Sequence, residues 1–173
     1  MSKAIKQGYE PATERELFTL ELSSLDQLPD ALRLPSPRFA CLLAWDAARI
    51  ADAAIAQVAD RLLDAGAVHF TCWGAGCQRV HDIIDRRATE SGRNEAPHVI
   101  MTSWHADEPL AEALWDFLHA SLPVEGYVEG CRSGLAISIG LPASTAGEIA
   151  QALTDSKGWT QRVLESDDGK HAA

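Results

Sequence analysis

A chain of 173 residues with 46% hydrophobic content is long enough for one domain with a sizeable core. Acidic residues outnumber basic ones 25 to 15, a formal charge of −10, which argues against a nucleic-acid or anionic-membrane surface built from clustered Lys and Arg. No apolar run approaches the roughly eighteen residues a membrane span needs, and "MSKAIKQGYEPATERELF" has no signal-type apolar core, so a cytoplasmic protein is expected.

In chain order, residues 1–15 are polar and read as a flexible N-terminal segment, ahead of a single domain over 16–165. "LFTLELSS" (17–24) alternates apolar and polar residues, as a half-buried edge strand does. "LDQLPDALRLPSPR" (25–38) holds three prolines and reads as a helical turn and a crossover loop. "FACLLAW" (39–45) is an apolar run of strand length. A helix follows over 46–66, with Ile50, Ala54, Val58 and Leu62 at helical spacing, Asp46 as N-cap and Gly66 as its stop. "VHFTCW" (68–73) is the second strand of the regular series, and "CQRVHDIIDRRATESG" (77–92) the next helix. "HVIMTSW" (98–104) is the third strand. The helix over 107–122 takes Pro109 in its first turn and carries a core or dimer face anchored by Trp115. "LAISIG" (135–140) is the fourth strand and "ASTAGEIAQALTD" (143–155) the last helix. Residues 166–173 read as a flexible tail.

Strands and helices that alternate with short connections imply right-handed βαβ crossovers and a parallel sheet. Strands apolar on both faces imply helices on both sides. The expected fold is an α/β three-layer sandwich: a mostly parallel four-stranded sheet, order 2-1-3-4, with an antiparallel N-terminal edge strand from residues 17–22.

In such a sheet, ligands bind where the strands' carboxyl ends meet the loops that leave them. The rim then gathers Trp45-Asp46, Trp73-Gly74-Ala75-Gly76-Cys77 and Trp104-His105-Ala106-Asp107-Glu108. Trp45, Trp73, Gly74, Gly76, Trp104 and Asp107 are the candidate ligand-binding residues. The three Trp either close the core or wall a pocket. Gly74 and Gly76 either serve a tight turn or let backbone approach a ligand. The loop is not GxGxxG, and no GKS or GKT follows, so a Rossmann-like nucleotide site ranks low.

Cys77 at a helix start suggests a nucleophile with a lowered pKa, with His105 as its base and Asp46 or Asp107 orienting the imidazole. This catalytic set, Cys77, His105 and Asp46, describes a small cysteine-dependent hydrolase or acyl transferase. A lone Cys is also a common small core residue. Cys41, Cys72, Cys77 and Cys131 form no CxxC pair, and they are expected to be reduced in the cytoplasm. Cys77 and His81 at i and i+4 are a weak metal pair, so neither a metal nor a cofactor is expected. The primary reading is a ligand-binding or protein-interaction module that uses this rim. Its partner would be a small molecule or a protein with a basic face, with a homodimer as a further option.

Overall fold

Six short strands, three of them buried along both faces, form the centre of the molecule, and helices cover them from either side. The computed structural model describes residues 3–171. Ala172 and Ala173, the end of the expected tail, lie outside them. The strands are β1 (Ile5–Glu10), β2 (Arg15–Leu22), β3 (Arg38–Trp45), β4 (Ala67–Trp73), β5 (Met101–His105) and β6 (Cys131–Ile139). The helices are α1 (Asp52–Ala65), α2 (Cys77–Glu90), α3 (Leu110–Trp115), α4 (Ala143–Thr154) and α5 (Ser156–His171). Together they make an α/β fold with a mixed sheet of order β1-β2-β6-β3-β4-β5. None of the helices among the described residues is long and apolar enough to cross a membrane.

Alternation along β3 shows how the core divides. Phe39, Cys41, Leu43 and Trp45 pack with the apolar faces of α1 and α2. Ala40, Leu42 and Ala44 pack on the other side with Leu110, Leu114 and Phe117, and with Ile149 and Leu153 of α4. Every side chain of β3 after Arg38 is therefore buried, which explains its unbroken apolar run.

The expected order 2-1-3-4 is corrected by the pairing. β3, β4 and β5 lie side by side in parallel, and β6 pairs with the free edge of β3. In chain terms the four strands run 4-1-2-3. The chain advances two strands with α1 and α2 on one face and then returns across the opposite face through α3. The reversal thus comes after the third strand of the series, not the second. The sheet is also larger than four strands and one edge. The segment expected as an antiparallel edge strand is β2, an interior strand parallel to β6. The antiparallel edge is β1, formed within the segment read as flexible.

Three local expectations also change. Asp46 is not the N-cap of α1: its Oδ1 accepts the Ala48 amide at 3.2 Å and shapes the loop, and the helix begins only at Asp52. The helix expected over 107–122 starts after Pro109 and runs from α3 into a π-helical turn, Asp116–Ala120. Trp115, expected as its core anchor, is 41% exposed, while Leu114 and Leu118 carry the buried face. α5 follows α4 almost directly and is anchored in the core by Trp159.

Candidate functional site

Parallel register decides which rim residues can meet. Trp73 pairs with Ala44 on one side and with His105 on the other, so these two side chains share the α3 face of the sheet. Trp104 pairs with Cys72, which pairs with Leu43 of the α1–α2 core, and so faces the opposite way. Trp45, one residue beyond Ala44, is buried on that same α1–α2 side. The three Trp therefore build no common wall. Trp45 closes the core, Trp73 is half-buried, and Trp104 is 43% exposed with the His81 ring 4.4 Å from its own.

Two concavities result along the carboxyl edge. The first, about 480 Å³, lies beyond β4 and β5 and is lined by Trp73–Gln78 and His105–Glu108. It brings Trp73, Gly74, Gly76, Cys77, His105 and Asp107 together. The second, also about 480 Å³, opens between the ends of β3 and β6 and is lined by Trp45 and Asp46 with Ser23, Ser24 and Gly140. Asp46 thus lies beside the cleft that holds Cys77 and His105, not in it. A third concavity, about 430 Å³, sits at the amino edge around Arg38, His98 and Tyr127. Arg132, at the start of β6, pairs with Glu14 at 2.5 Å.

The loops bounding the two rim concavities are clamped together. The Ala47 amide donates to the Ala75 carbonyl at 2.8 Å. Gly74 has a φ of +113°, and a Cβ there would stand 2.2 Å from the Trp45 carbonyl oxygen. Gly76, φ +77°, lies against Ala47 and Ala48. Both glycines are explained by left-handed backbone and the close approach of two protein loops.

Cys77 begins α2, yet its side chain is buried in the α1–α2 core. Burial pushes its thiol pKa up, while the backbone amides of His105 and Gln78 donate to the sulfur and partly oppose the shift. The net shift favours the neutral thiol over the reactive thiolate. The His105 ring points to the other face. Its Nδ1 lies 2.6 Å from Glu108 Oε2, and its Nε2 faces Asp116 Oδ2 at 3.4 Å without making a hydrogen bond. No hydrogen bond joins the Cys77 thiol to this ring among the described residues.

Asp116 was not among the candidate residues, and Glu108 was placed on the rim without a role. Asp116 Oδ2 also accepts the hydroxyls of Thr71 at 2.9 Å and Ser103 at 2.8 Å, so one carboxylate ties β4, β5 and the π-helical turn together. Its signal was an acid set within the apolar stripe of "LWDFL". Trp73 Nε1 donates to the Glu108 carbonyl at 2.9 Å and holds the second loop against the first strand end. Asp107 takes a φ of +58°, a conformation Asp tolerates better than most residues, and stays exposed at the mouth. The charged side chains lining the cleft are acidic: Asp107 and Glu108 contribute carboxylates, and no Lys or Arg does. Among the described residues, no group of three or more His, Cys, Asp and Glu could hold a metal ion.

Among protein families, one described as a domain of unknown function (DUF7684) matches residues 17–156. No curated protein and no solved structure matches the chain.

Proposed function

The chain belongs to the DUF7684 family, and since that family carries no assigned function, the role has to be read from the site; we propose that the protein binds a small organic molecule bearing a cationic group in the cleft beyond β4 and β5. The observation that carries this reading is the lining. A cleft of about 480 Å³ falls within the usual range for small-ligand sites, and its side-chain charge comes from Asp107 and Glu108. A cation seated there meets two carboxylates. The Trp73 indole supplies an apolar wall, held in place by its hydrogen bond to the Glu108 carbonyl. Binding suits the geometry better than nucleophilic catalysis, because the one thiol in the cleft is buried and held neutral.

The test is calorimetric titration and thermal denaturation with matched sets of small ammonium, guanidinium and carboxylate compounds. Cationic members should raise the melting temperature, and at a hundred times Kd they should add about 2.7 kcal/mol of stability. Asp107→Asn and Glu108→Gln should each weaken binding about tenfold. If no cationic compound binds at millimolar concentration, or both variants bind as the parent does, the reading fails.

A further inference from the structure

The two ends of the sheet are treated differently. β1, at one end, carries the usual protections of an edge strand. Its register shifts between Lys6 and Gly8, Lys6 pairs with Glu16 at 2.6 Å, and α4 and α5 pack against it. β5, at the other end, has α2 and α3 against its faces, but neither the irregular register nor the lysine of β1. Its pairing with β4 is unbroken over Met101–His105, it contains no Lys or Pro, and no strand covers its outer side among the described residues. Met101 and Trp104, on opposite faces of this strand, are 40% and 43% exposed. Because the His105 amide turns inward to the Cys77 sulfur, alternation turns the amides and carbonyls of Thr102 and Trp104 outward.

We propose that the outer edge of β5 is a strand-addition site for an extended, basic segment of a partner protein. In this mode of recognition the backbone ladder gives affinity, and side chains on the two faces give selectivity. Charge chooses the occupant. Asp85 accepts the Thr102 hydroxyl at 2.7 Å beside the edge, Asp82 holds the His81 Nδ1 at 2.9 Å next to Trp104, and both carboxylates stay solvent-accessible. Lys or Arg side chains of an added strand would meet these acids. A second copy, itself carrying −10, would set the same acids against each other. The proposal is independent of the cleft, and its residues differ from those that test the cleft.

The experiment uses the full chain and two ten-residue probes, one alternating Arg with Val and Thr, the other with Glu in place of Arg. The basic probe should bind with an affinity that falls as salt rises, and amide exchange should slow at Thr102 and Trp104. Trp104→Lys and Asp82→Lys should each weaken binding at least tenfold, while Asp107→Asn leaves it unchanged. The proposal is overturned if the basic probe does not bind at millimolar concentration, if the acidic probe binds equally, or if binding leaves the β5 amides unprotected. Sedimentation that shows a dimer of the unmodified chain, dissociated by Trp104→Lys, would also overturn it in favour of a second copy.

Discussion

His69 is nearly sealed inside β4, 5% exposed, and its Nδ1 has no hydrogen-bond partner. Burial lowers its pKa from 6.5 to about 4. The nearby Asp116 carboxylate opposes that shift, and Arg15 adds to it. The sign of the pH dependence follows. Between pH 6.5 and about 4 the unfolded chain binds a proton at this position and the folded chain does not. Stability tied to His69 is therefore fully present above pH 6.5, declines as the pH falls, and is lost below about 4. At about 1.4 kcal/mol per pH unit this amounts to roughly 3 kcal/mol across the window. Urea denaturation of the parent and of His69→Leu at pH 7 and pH 4.5 separates this group from the other titrating residues. The parent should lose more stability than the variant over that range. Equal losses would mean that His69 is protonated in the folded protein.

At the scale of elements, the strands of the regular series were legible because each needed an apolar run, and each run ends near the observed carboxyl edge. Their order was not legible. An amphipathic helix declares that it has a buried face, but not which side of the sheet it covers, and the reversal after β5 depends on that choice. β1 escaped notice because "IKQGYE" is polar, with a glycine at its bulge; it is a strand because β2 and α4 offer it partners. α5 escaped for a similar reason, since its sequence has almost no apolar stripe and one buried Trp159 fixes it. The rim residues were found from the run endings, but register placed Trp73 and His105 on one face and sent Trp104, Trp45 and Cys77 to the other. The π-helical turn after α3 was not legible at all, although it delivers Asp116 to the β4–β5 pair. Asp116→Ala removes the shared acceptor of Thr71 and Ser103 and strips the turn of its tie to the sheet. With about 1.5–3 kcal/mol for each hydrogen bond to a charged group and some re-pairing, the loss should be roughly 3 kcal/mol. Exposed Glu112→Ala, on α3, should cost less than about 0.5 kcal/mol. Urea midpoints of the two variants measure the contrast, and similar values for both would show that the turn is held by its apolar contacts alone.

For the whole molecule, the excess of ten negative charges sets the response to salt. A folded chain of 173 residues has a radius of roughly 20 Å. Ten like charges spread over such a sphere in water repel one another by roughly 10 kcal/mol before screening. Unfolding more than doubles the dimensions of the chain and releases more than half of that repulsion. Attractive ion pairs act in the other direction. Most are open to solvent, such as Arg79–Asp52, Lys6–Glu16 and Arg132–Glu14, each side chain more than a third exposed, and exposed pairs are worth about 0.2–1 kcal/mol each. Arg87 grips Asp60 with two nitrogens at 2.8 and 2.9 Å, a stronger geometry, but it is one pair. Screening acts on both contributions, and the repulsion, with its longer reach, is the larger one at low salt. Raising sodium chloride from about 10 to 200 mM shortens the screening length from about 30 Å to under 10 Å, below the size of the molecule. The free energy of unfolding should therefore rise by about 1–2 kcal/mol over that range, measured by urea denaturation at pH 7.5. A decrease would show that the ion-pair network outweighs the net charge.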